Sequence, residues 1–78
     1  MLYDPHLDLF LQVAELGSFS KAAEARYITP SAVIKQINLL EDELGVRLFE
    51  RTHRGLKLTK AGESLKKDAP ELIRMSRE

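Results

Sequence analysis

The chain has 78 residues, room for one small domain with one core, and its 44% apolar and 31% charged residues are the mix of a folded domain, not a disordered tail. It contains no cysteine, so disulfides and thiolate zinc ligands are excluded, and stability must come from packing or from a partner chain. The formal net charge is zero, no apolar run approaches the roughly 20 residues that span a bilayer, and Asp4 and Asp8 stand where a signal peptide would be basic, so a cytoplasmic protein without membrane contact is expected.

Asp4 and Pro5 are a cap and a first helical residue. Leu7, Phe10, Leu11 and Ala14 then recur at three- and four-residue spacing, Leu9, Val13 and Leu16 widen the stripe, and Gly17 is a stop, which predicts a helix from Pro5 to Leu16. Ser18 caps a short second helix, Phe19 to Arg26, in which Ala22 and Ala23 are small enough to let another helix cross closely. Tyr27 and Ile28 form the turn that follows, with Ile28 expected in the core. Thr29 and Pro30 open a third helix that Gly45 ends. Its apolar stripe is Val33, Ile37, Leu40 and Leu44, four residues within about 60° of arc. The opposite side carries Ser31, Lys35, Asn38 and Asp42. A hydroxyl, a cation and an amide in one row suit a helix lying in a major groove, but every surface helix has a polar face, and from this helix alone a solvated face is the preferred reading.

The period then changes. Residues 47–51 and 56–59 alternate, with Leu48, Leu56 and Leu58 pointing inward, around a Thr52-His53-Arg54-Gly55 turn. Two strands are not stable alone, so the hairpin must lie against the helices. Its tip carries Arg51, His53 and Arg54, the chemistry of a wing that rests on phosphates or in a minor groove, or of a hairpin kept soluble by charge. Thr59 caps a fourth helix with Leu65, Ala69, Leu72 and Ile73 as its apolar positions. Pro70 inside that helix costs about 3 kcal/mol or more, so a kink there or an end near Asp68 is expected. The stripe is too long for so small a core, and Leu65, Ala69, Leu72 and Ile73 are assigned to pairing with a second copy.

Charge is unevenly spread along the chain: residues 1–25 carry −3, residues 26–60 carry +3 and residues 61–78 balance. A local basic face matters more to phosphate than the total does. An enzyme is not indicated. His6 and His53 have no nucleophile or metal-spaced partner nearby, there is no Gly-x-Ser-x-Gly elbow, and the glycines are isolated, so no catalytic residue, metal site or cofactor is assigned. The element order predicts a mainly α, winged helix-turn-helix fold: a three-helix core and a hairpin wing over residues 1–58, then a linker helix from residue 59.

Three strings carry a family resemblance. Residues 10–23, FLQVAELGSFSKAA, residues 35–51, KQINLLEDELGVRLFER, and residues 54–63, RGLKLTKAGE, occur in order and at matching separations. Together they span most of the chain, from about Leu7 to Leu65, and the chain resembles the DNA-binding domain of LysR-type transcriptional regulators. The resemblance implies binding to an interrupted palindrome of double-stranded DNA. It also implies a homodimer through the linker helix, a tetramer in the full-length protein, and a small-molecule inducer sensed by a C-terminal domain that this chain lacks, so the chain is expected to be an N-terminal fragment. Residue by residue, it places Thr29, Pro30, Ser31, Ile34 and Lys35 at the major groove, with Lys35 on a base edge or a phosphate. Gln36 matches a frequent family glutamine, although the helical wheel puts it near the core edge. Arg51 and Arg54 match wing arginines, and Ser20 and Lys21 are phosphate contacts. Asn38 and His53 join the DNA-binding set from their positions on the polar row and the tip. Two residues depart from the pattern: many members have glutamine at the position of Pro30 and serine at that of Ile34. Proline donates no hydrogen bond, and isoleucine can touch a thymine methyl. The competing reading is a winged helix used as a protein-interaction or dimerisation module without specific DNA binding.

Overall fold

The structure, a computed structural model, describes residues 5–77, with side chains at all of these except residues 72, 73, 76 and 77. Among the described residues the order is α1 (Pro5–Leu16), α2 (Phe19–Arg26), α3 (Pro30–Leu44), β1 (Phe49–Thr52), β2 (Gly55–Leu58) and α4 (Lys60–Arg77). The first three helices start and stop where the sequence signals place them. Asp4, the expected cap of α1, lies outside the described residues. The Ser18 hydroxyl accepts from the Lys21 N–H at 3.2 Å, and the Thr29 hydroxyl accepts from the Ala32 N–H at 3.1 Å. Each satisfies a donor that the first turn of a helix would otherwise leave open. Gly45 ends α3 at φ +71°, its N–H donating to the Glu41 carbonyl. Tyr27 ends α2 in the same left-handed conformation at φ +57°, without glycine's freedom.

The core gathers Leu9, Phe10 and Val13 of α1, Ala22 and Ala23 of α2, Val33, Ile37 and Leu40 of α3, and Leu48 from the segment before β1. The alanine pair lets α2 seat against both α1 and α3. Two expected core residues are not in it. Leu44 points along the same stripe but lies in the last turn of a helix longer than α1 or α2, and it is 48% exposed. Ile28 has its N–H tied to the Ala23 carbonyl, yet its side chain is 38% exposed in the turn.

The hairpin pairs Phe49 with Leu58, Glu50 with Lys57, Arg51 with Leu56 and Thr52 with Gly55, around a turn of His53 and Arg54. Gly55 sits at φ +116°, a conformation that favours glycine. The Thr52 hydroxyl donates to the Gly55 carbonyl at 2.9 Å and accepts from the Arg54 N–H at 3.2 Å, which closes the tip. β1 begins two residues later than the alternation predicts, because the backbone of Arg47 and Leu48 is engaged elsewhere. The Thr59 hydroxyl donates to the Arg47 carbonyl at 2.6 Å, and the Thr59 N–H donates to the Leu48 carbonyl at 3.0 Å.

That same hydroxyl accepts from the Gly62 N–H at 3.0 Å and caps α4. The helix continues through Pro70 to Arg77, so of the two expected outcomes the end near Asp68 does not occur: the missing N–H removes one rung, and the turns on either side persist. α4 packs on α1 and β2. Ala69 is fully buried within its own chain, so its assignment to pairing is corrected too, as it has no free surface for a partner. Leu65 is half-buried against the chain's own core. The side chains of Leu72 and Ile73 lie outside the described residues. Among the described residues no helix is long and apolar enough to cross a membrane.

Of the four glycines, Gly62 is the one with no room for a side chain. A Cβ there would meet the Leu48 carbonyl oxygen at 2.2 Å. Gly62→Ala is expected to destabilise the fold by about 3 kcal/mol, at the upper end of overpacking costs. At Gly17 an added Cβ meets nothing within 4 Å but stays at φ +67°, so Gly17→Ala should cost only about 1 kcal/mol. Urea denaturation of the two variants checks the order.

Candidate nucleic-acid interface

The head of α3 and the β1–β2 hairpin face each other across an open cleft. Pro30 and Ile34 form one wall, Arg51, Thr52, Gly55 and Leu56 the other, and Ser18 and Ser20 lie at one end. A second cleft continues along α3, where Asn38 and Glu41 face Phe49, Glu50 and Arg51. Ile34, Arg51, Phe19 and Leu56 line both. The structure thus brings Ser20, Pro30, Ile34, Asn38 and Arg51 around one concave surface. Lys21, Thr29, Ser31, Lys35, His53 and Arg54 line neither cleft, and all six are exposed. On an ideal wheel Ser31 and Asn38 lie within about 20° of each other, with Lys35 and Ile34 flanking them at about 40° and 60° to either side. Ile34 is therefore the member of this fan turned furthest towards the wing, with Asn38 next to it. Gln36 is half-buried, as its place near the core edge predicts. The Thr29 hydroxyl is already committed as the α3 cap.

The wing is held at this distance by groups the sequence does not single out. Glu41 is 6% exposed although charged. Its Oε2 accepts from the Leu48 N–H at 2.7 Å and from the Phe49 N–H at 3.4 Å, and its Oε1 accepts from Arg47 at 3.3 Å. Arg47 is 79% exposed at its side chain, so that ion pair contributes little and the backbone donors carry the contact. In sequence Glu41 reads as one of three successive acids on a solvated helix end. The one available signal is its position seven residues after Ile34, two turns down the same wing-facing side.

Aromatic side chains link the wing to the core. Phe49 packs on Phe10 with ring centroids 5.4 Å apart, and edge-on against Phe19 at 5.8 Å. The Arg51 guanidinium sits 5.3 Å from the centroid of the Phe19 ring. This contact ties a wing cation to the first turn of α2, beside Ser20.

Residues 5–63 match the family described as bacterial regulatory helix-turn-helix protein, lysR family. The chain belongs to the LysR family. Among its relatives, the probable HTH-type transcriptional regulator LtrA of Klebsiella pneumoniae is 42% identical over 74 residues, which cover 95% of this chain and 24% of the relative. The HTH-type transcriptional activator AllS of the same organism is 49% identical over 73 residues, covering 92% and 27%. The chain therefore spans about a quarter of the length of these curated relatives. Among solved structures, the CbnR_DBD-DNA complex matches with a TM-score of 0.83 and 37% identity, over 91% of this chain and 82% of that one. The BenM_DBD/catB site 1 DNA complex matches with a TM-score of 0.81 and 39% identity, over 88% and 78%. The winged helix-turn-helix fold expected from the element order is the fold of this LysR-family domain.

Glu41→Ala leaves the Leu48 N–H buried without an acceptor, and a loss of about 1–3 kcal/mol is expected. Glu41→Gln keeps one oxygen for that N–H and should lose well under half as much. Urea unfolding of both variants beside the parent chain checks this; equal losses would mean that the charge, not the acceptor, matters.

Proposed function

We propose that the chain binds double-stranded DNA sequence-specifically as the DNA-binding part of a bacterial transcription regulator. α3 enters the major groove, and the β1–β2 wing rests on the backbone or in the minor groove. The observation that carries this reading is that Ile34 and Asn38 of α3 and Arg51 of the wing border the same open surface. A duplex lying there would meet α3 and the wing together. Exposed Lys35, His53, Arg54 and Lys21 stand beside it as donors and cations. The likeness to LysR-family domains solved on DNA supports the same reading.

Within this reading the roles of the residues divide. Ser31, Ile34, Lys35 and Asn38 face base edges, with Thr29 and Pro30 holding the helix start against the duplex. Arg51, His53 and Arg54 of the wing, and Ser20 and Lys21 of α2, meet phosphates. In the whole regulator two chains pair through α4 and read the two halves of an interrupted palindrome, and pairs assemble into tetramers. A C-terminal effector domain supplies inducer sensing, and the regulator works in the cytoplasm on DNA without catalytic chemistry. With Ala69 covered by its own chain, the pairing surface shifts towards the end of α4, where Leu72 and Ile73 lie and Met75 is 56% exposed.

Affinity for random duplex DNA is expected to fall steeply with salt, by about 0.9 log units per log unit of salt for each phosphate contact. A flat salt response would overturn the reading in favour of a protein-interaction module. Lys35→Ala should lose about 1–3 kcal/mol on a selected site and relax its specificity. Arg54→Ala should weaken all sequences alike and reduce the salt slope by about one unit. Equal losses for both on selected and random duplexes would remove this division of roles.

Self-association is tested separately. Sedimentation velocity across a concentration series should show a dimer that Leu72→Asp disrupts, and a monomer at every concentration would refute pairing by this chain alone.

A further inference from the structure

Ile34 is an anomaly at the head of α3. Its neighbours on the outward fan, Ser31, Lys35 and Asn38, are polar and exposed, whereas Ile34 is branched, apolar and only half-buried. It lines the open clefts between α3 and the wing, together with Phe19 of α2 and Leu56 of β2. Pro30, one turn earlier on the same side, is exposed and has no N–H to offer. The wing-facing edge of α3 therefore presents a strip of hydrocarbon at its first two turns, bordered by cations and hydroxyls.

In a major groove almost every base-edge group is a donor or an acceptor; the apolar exception is the 5-methyl group of thymine. An isoleucine pressed against a donor or an acceptor strips it of water and returns no hydrogen bond. Against a methyl group it buries apolar surface on both sides. Building on the DNA-binding reading above, we infer that Ile34 selects a 5-methylpyrimidine, thymine in unmodified DNA, at one base pair of each half-site, and that the methyl group itself is what is read.

The test starts from a random pool and works with any operator. Duplexes recovered from that pool by this chain are remade with single thymines replaced by deoxyuridine, which removes the methyl and leaves every hydrogen-bonding group. Affinities are read by fluorescence anisotropy. One thymine per half-site is expected at which this replacement weakens binding about fourfold, the worth of one buried methyl group. At that position 5-methylcytosine should bind more tightly than cytosine, which separates the methyl from the rest of the base. In Ile34→Ser the ratio of thymine to deoxyuridine affinity should fall to one. Ile34→Val, which keeps a branched apolar side chain, should retain a ratio above one and guards against a fold defect in the serine variant. Equal binding of thymine and deoxyuridine at every position overturns the inference, as does a ratio unchanged in Ile34→Ser. If salt-dependent DNA binding persists in those cases, the DNA-binding reading stands and only the role of Ile34 falls. If no salt-dependent binding is seen, both fall together.

Discussion

The geometry of the interface depends on one buried carboxylate. Glu41 lies near the end of α3, where the chain must turn and start the wing. Its side chain accepts from the Leu48 and Phe49 N–H groups, while its own carbonyl accepts from Gly45 and Val46. A single residue thus ends the helix and fixes the direction in which the chain leaves it. Thr59 completes the arrangement from the far strand by engaging the carbonyls of Arg47 and Leu48. The short segment before β1 has its donors taken from one side and its acceptors from the other. Each such bond contributes only about 1 kcal/mol net, but an unmade bond at a buried donor costs more than a made one returns. An apolar residue at position 41 could fill the space and would still leave the Leu48 N–H without a partner. The carboxylate is therefore a matter of direction as much as of stability.

The aromatic side chains turn that direction into a fixed distance. A two-stranded hairpin alone is marginal in water. Here Phe49 inserts between Phe10 of the core and Phe19 of α2, so the hairpin shares the helices' packing. Arg51 then lies over Phe19. An exposed cation–π contact contributes about 0.5–1 kcal/mol, while the rotamer freedom of an arginine is worth up to about 2 kcal/mol. The contact thus biases Arg51 towards the cleft without locking it, which would suit the phosphate contact proposed for it.

How much of this could be read in the sequence depended on whether the signal was local. Ser18 and Thr29 as caps, and Gly17 and Gly45 as stops, act within one turn of backbone, and the first three helices fall where these residues place them. The polar row of Ser31, Lys35 and Asn38 follows from helical period alone and is exposed as expected. The failures share a different cause. Leu44 has the right direction on the wheel, but period says nothing of how far the opposing helices extend. Ala69 looks like part of a spare stripe until α4 is laid on α1. Glu41 looks solvated because its partners are backbone groups in a segment that becomes its neighbour only through the fold. Gly62 has no turn to make; it is needed because the Leu48 carbonyl comes within reach of any Cβ. Pro70 is the reverse case: a strong local penalty predicts a kink or an end, and the helix runs on through it.

α4 joins these local devices to the assembly. Its first turns are pinned: Thr59 caps the helix and holds the wing strand, Gly62 abuts the Leu48 carbonyl, and Ala69 is sealed within the chain. An 18-residue helix is about 27 Å long, more than the small core beneath it can cover. Its first part thus belongs to the core, and its end projects for pairing in the proposed dimer. The angle between that projecting end and the wing is then fixed inside each chain, before two chains meet. In such a dimer the separation of the two α3 heads would depend on the seating of α4 on α1 as well as on how the two chains pair. Half-site spacing on DNA would then rest in part on intrachain packing, at residues such as Gly62 and Glu41 that touch no base in the proposed complex.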